Sequence, residues 1–131
     1  MKIKNLIVIL FICFQTNCSK KNFNTQGNTL IYSNSKQKIV LEILNNQKYL
    51  QENVIENIKL KCENIKVEKL SFSGKGISFY KTKEDLKNEL FLNINLKDDE
   101  IQVLTNYELI ISYHDGNVNF THKFIIPIKK Q

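Results

Sequence analysis

The chain has 131 residues, room for one domain and little else, and a formal net charge of +6 carried entirely by lysine, with no arginine, alanine or tryptophan. Without guanidinium forks to grip phosphate and guanine in pairs, sequence-reading nucleic-acid binding is disfavoured, and the wealth of Lys, Asn and Ile is what AT-rich codons supply. Three cysteines, Cys13, Cys18 and Cys62, form no disulfide framework.

Met1 to Asn5 is a short basic leader, and Leu6 to Phe14, LIVILFICF, is an uncharged apolar run. Nine residues are too few to span a bilayer, which takes about 20. The length and flanks are those of a secretory signal peptide. Cys18 stands where that run gives way to polar sequence, in Gln15-Thr16-Asn17-Cys18-Ser19-Lys20-Lys21.

This border resembles the lipobox of bacterial lipoproteins, with Gln15 and Asn17 where the usual box has Leu and a small residue. The resemblance covers about the first 20 residues. It implies that the Cys18 thiol receives a diacylglycerol, that residues 1–17 are removed, and that the new amino terminus is often acylated as well. It further implies a lipid-anchored place in the cell envelope, with Ser19 after the cysteine favouring the outer membrane. Two or three acyl chains make a durable anchor, since each buried methylene contributes about 0.8 kcal/mol. Removing Lys2 and Lys4 leaves about +4 on the processed chain. The stretch 18–28 then serves as lipidated cysteine and flexible tether, and 29–131 as the folded domain.

From residue 29 the apolar pattern has period two, the mark of half-buried strands. Leu30 and Tyr32 predict a short first strand, and residues 39–44 a second, closed by Asn45-Asn46. Gln47 to Asn57 predicts a loop with one helical turn. Ile58, Leu60 and Cys62 alternate, which makes Cys62 a buried small apolar residue, and Glu63-Asn64 connects to a strand through Ile65 and Val67. Phe72, the turn Ser73-Gly74-Lys75-Gly76, then Ile77 and Phe79 follow, and Leu90, Leu92, Ile94 and Leu96 share one face.

The last third is the most explicit. Tyr107, Leu109, Ile111 and Tyr113 alternate up to Asp115-Gly116, and Val118, Phe120, Phe124, Ile126 and Ile128 alternate after it. Asp-Gly between alternating apolar residues predicts a hairpin with a type I′ turn at Asp115 and Gly116. That loop pairs Tyr113 with Val118, Leu109 with His122 and Tyr107 with Phe124, and sets Glu108 against Lys123. Pro127 fits an edge or outward position.

Short strands with almost no helical periodicity predict an all-β, antiparallel β-sandwich of about seven strands. Leu96 to Ile128 resembles the last two strands of an immunoglobulin-like or fibronectin-III-like domain, without the buried Trp or the cysteine pair. The resemblance implies that Tyr107 is a corner tyrosine whose hydroxyl bonds backbone in the Lys97–Asn106 connection.

No catalytic constellation emerges. Gly74-Lys75-Gly76 lacks the spacing of a phosphate loop. Asp98-Asp99-Glu100 lacks the spaced ligands of a calcium loop, His114 and His122 lie too far apart to share a metal, and Asn119-Phe120-Thr121 is a chance glycosylation sequon. No enzyme activity, cofactor, metal or nucleic-acid partner is therefore expected. The expected function is a membrane-anchored, non-enzymatic protein-binding or envelope-assembly module, meeting an envelope protein through a sheet edge or through loops at Gln47–Asn57 and Lys81–Asn88. The alternative is an inhibitor or immunity-type lipoprotein that blocks a partner enzyme.

Overall fold

The computed structural model describes residues 24–80, 88–97 and 104–131. Among them, ten strands build two sheets packed face to face. They are β1 (Asn24–Gln26), β2 (Thr29–Ser33), β3 (Lys38–Ile43), β4 (Leu50–Gln51), β5 (Ile55–Glu63), β6 (Leu70–Ser73), β7 (Ile77–Phe79), β8 (Glu89–Asn95), β9 (Asn106–Asp115) and β10 (Val118–Lys129). One sheet has the order β1-β2-β3-β5-β8-β7 and the other β4-β10-β9-β6. Within them, β3-β5-β8-β7 faces β6-β9-β10, the four-against-three connectivity of an immunoglobulin-like sandwich. The strand expected at Leu30 and Tyr32 is β2; those not expected from the sequence are β1, which widens the first sheet beyond β2, and β4, which pairs in parallel with the end of β10.

Alternation dictates the core. Glu56, Ile58, Leu60 and Cys62 point inward from β5, and Tyr107, Leu109, Ile111 and Tyr113 from β9. They meet Ile39, Leu41 and Ile43 of β3, Leu92 and Ile94 of β8, and Phe124 and Ile126 of β10, so the inner faces are mainly apolar, with Glu56 and His122 as polar members. Cys62 is buried, and burial pushes its thiol up to about 11.

Several local expectations give way to tertiary structure. The stretch assigned to the tether contains β1, because Gly27-Asn28 makes a two-residue turn that pairs Gln26 with Thr29. The Asn28 amide then donates to the Ile43 carbonyl (2.8 Å) and fastens this hairpin to β3. Gln47 to Asn57 has no helical turn; it holds β4 and the start of β5. Ile65 to Val67 is not a strand, since Asn64 takes a positive φ of 57° and the chain enters a 3-10 turn at Val67–Lys69.

The β9–β10 hairpin is displaced from the expected register. Its loop is Gly116-Asn117, with Asp115 opposite Val118, Tyr113 opposite Phe120 and Leu109 opposite Phe124. Gly116 alone has a positive φ (60°), which suits a type II′ turn with glycine first, whereas type I′ needs a positive φ at both loop residues. Keeping Asp115 in the strand lets it face Lys66, with 2.8 Å between the charged atoms. Each partner moves by two residues, so every side chain keeps its face and the core is unchanged. Glu108 and Lys123 still meet, at 2.7 Å, but diagonally.

Candidate functional site

Cys18 lies outside the described residues, as do Asp98-Asp99-Glu100 and residues 81–87 of the Lys81–Asn88 loop. Asn24 is in register with Ile31, so the chain arrives at the end of the sandwich where β2 turns into β3. The same end carries the β9–β10 turn and the segment after β5, joined by the Lys66–Asp115 pair. Lys66 donates to the Asp115 carboxylate and holds it below its ordinary range.

Tyr107 is buried at the opposite end of β9. Its hydroxyl donates to the Lys75 carbonyl at 2.8 Å, in the turn between β6 and β7, and not to the Lys97–Asn106 connection expected of a corner tyrosine. The reason is steric: Gly74 has no side chain, and the space a Cβ would fill is occupied by the Tyr107 hydroxyl. The residue thus ties the two sheets together where β6 passes the chain to β7. Beside it a cleft of about 240 Å³ is lined by Leu96, Leu104, Glu108 and Ile110.

The one buried charged side chain among the described residues is Glu56. Burial raises its carboxyl above the usual range, and two hydrogen bonds pull the other way, from the Gln51 backbone N–H (3.2 Å) and the Asn45 amide. The Asn45 carbonyl oxygen accepts from the Gln47 N–H at 2.8 Å. This bracket fixes the 44–51 crossing that carries β4 from one sheet to the other. Periodicity alone does not reveal it, because Glu56 occupies an inward position where the pattern calls for an apolar residue.

His122 lies in an aromatic cluster, stacked on Tyr32 with ring centres 4.4 Å apart and edge-on to Phe124 at 4.6 Å. His114 is exposed on the other face of the hairpin. Among the described residues no three His, Cys, Asp or Glu side chains gather to hold a metal ion.

The remaining feature is an edge. Ile128 donates its N–H to the Thr105 carbonyl at 3.0 Å. Bonding alternates along an antiparallel pair, so Val118, Phe120, His122, Phe124 and Ile126 direct their backbone groups to β9. Asn119, Thr121, Lys123 and Ile125 direct theirs away from it. On that outer side, among the described residues, only β4 pairs with β10, at Ile128 and Lys129. Next to this edge a cleft of about 260 Å³ opens between the sheets, lined by Leu30, Ile43, Lys48, Ile125 and Pro127 among others.

No family model, curated protein or solved structure matches the chain. The strand order therefore speaks for architecture alone, and a sandwich of this type hosts many functions.

Proposed function

We propose that the protein is a lipoprotein held on a membrane of the cell envelope, the outer membrane of a double-membraned cell, through acylated Cys18. Its β-sandwich is a non-enzymatic module that binds an envelope protein. The observation that carries this reading is the order of the first 21 residues: basic leader, nine-residue apolar run, cysteine, then lysine-rich polar sequence. An apolar stretch too short to span a bilayer, followed four residues later by a cysteine at the start of polar sequence, is what a cleaved and lipidated leader requires.

The position of β1 adds a geometric consequence. Five residues separate Cys18 from Asn24, and a fully extended chain between them reaches at most about 20 Å. In this reading the body stays close to the lipid surface. The end bearing Lys36, Lys66 and the β9–β10 turn faces the membrane, and the end bearing Tyr107 and the carboxyl terminus faces away.

The test is metabolic labelling with an alkyne-tagged palmitate. The wild-type chain should take up the tag and fractionate with membranes, and the Cys18→Ser chain should do neither. A wild-type chain that stays untagged and soluble overturns the reading.

A further inference from the structure

We propose that the outer edge of β10 is a docking strand: an extended segment of a partner protein adds to the four-stranded sheet alongside residues 119–125. One apolar side chain of that segment enters the cleft lined by Leu30, Ile43 and Pro127, and an acidic neighbour faces Lys48. The inference deepens the reading above and rests on it for the existence of a protein partner.

Three observations converge on this edge. The first is length. The other outer strands are short, three residues in β1 and β7 and four in β6, which is how sheets ordinarily avoid pairing with other chains. β10 runs for twelve residues and, among the described residues, is capped on its outer side by β4 only at its last two paired positions. Asn119, Thr121, Lys123 and Ile125 therefore present a row of backbone donors and acceptors, the requirement for strand addition. Lys123 and Pro127 are the guards found on such edges; Pro127 offers no N–H and closes the row at one end.

The second is the overhang. Tyr32 of β2 packs over Phe120 and His122 of β10, with ring centres 5.0 and 4.4 Å apart. β1 lies one strand further out than β2. The first sheet thus projects beyond β10 by about one strand spacing, roughly 4.8 Å, as a ledge above the vacant position. An isolated strand slides beneath it with its inner face covered. A second copy of this chain does not, because pairing β10 with β10 would bring two ledges into the same space.

The third is the cleft itself. Its walls come from both sheets, Leu30 and Ile43 from one and Ile125 and Pro127 from the other, so an inward side chain of an added strand enters an apolar site. Lys48 on the same lining selects a carboxylate beside it.

The probe is a blocked linear peptide of alternating valine and threonine with one central glutamate, added to the isotopically labelled full chain in detergent micelles. Amide exchange at Asn119, Thr121, Lys123 and Ile125 should slow by roughly tenfold, with no comparable change on β1, β6 or β7. The same peptide N-methylated on the alternate amides that face β10 should not protect these sites, and the peptide methylated on the opposite amides should. Equal behaviour of the two methylated peptides, protection elsewhere, or protection of the β10 amides by self-association without peptide would overturn the proposal. Docking lost while Cys18 still carries lipid overturns the edge alone; docking intact on an unacylated chain overturns the anchor alone.

Discussion

The Tyr107 hydroxyl occupies the space into which a side chain at Gly74 would grow, and from there it donates to the Lys75 carbonyl at 2.8 Å. Tyr107 belongs to β9 and Gly74 to the turn between β6 and β7, so a change at either position is felt at the other. Gly74→Ala should cost about 1–3 kcal/mol, because the new methyl displaces the phenol and also crowds Ile77. Tyr107→Phe alone should cost about 1 kcal/mol, the net worth of one hydrogen bond. The pair should be coupled: in the Tyr107→Phe background the Gly74→Ala penalty should shrink, as a double-mutant cycle by urea denaturation will read.

Glu56 gives the fold a pH dependence of definite sign. Burial raises its folded pKa above the ordinary value of 4.5, so the folded chain holds this proton more tightly than the unfolded chain. Its contribution is most favourable below the unfolded value and is lost as pH rises through the folded one. Glu56→Gln should remove that component of the pH slope between acid and neutral conditions. Glu56→Ala should destabilise by about 1–3 kcal/mol, because the Asn45 amide and the Gln51 N–H lose their acceptor. Denaturation of the three proteins across that range separates the two effects.

Two glycines with positive φ should respond unequally to alanine. At Gly116 a Cβ meets nothing within 4 Å, so Gly116→Ala bears only the backbone cost, about 1 kcal/mol. At Gly76 the Cβ would run into the carbonyl of Asn95, whose N–H bonds the Gly76 carbonyl at 3.0 Å. Gly76→Ala should therefore uncouple β7 from β8 and cost several times more, visible as a much lower thermal midpoint.

Cys62 supplies a chemical readout of both fold and processing. Buried, with its thiol pushed up to about 11, it should resist a thiol reagent at neutral pH and react on unfolding. If residues 1–17 are gone and Cys18 is blocked by lipid, unfolded protein extracted from membranes should titrate as one thiol per chain. The Cys18→Ser chain with its leader retained should also show Cys13.

Much of the architecture was legible because period-two alternation needs only neighbouring residues. The inward sets of β5, β8 and β9 can be read directly, and the hairpin near Asp115 keeps its faces despite a two-residue change of partner. What local pattern could not supply was tertiary in origin. The choice between Asp115-Gly116 and Gly116-Asn117 as the loop is tipped by φ at Gly116 and by Lys66, a residue 49 positions upstream of Asp115. Glu56 breaks the apolar pattern, and only the Asn45 and Gln51 partners show how it is accommodated. Asparagine also proves to have structural uses, at Asn46, Asn53 and Asn64, whose left-handed turns asparagine tolerates better than most residues. Of the β10 edge the sequence offers only Pro127, which fits an edge or outward position, since an edge is defined by which strands fail to pair.

The most direct test of the central claim is the intact mass of the protein purified from membranes. A chain beginning at Cys18 and heavier than residues 18–131 by a diacylglyceryl group, with or without a further acyl chain, is the predicted result. An unmodified polypeptide mass, whether it begins at Met1 or at any other residue, would contradict it.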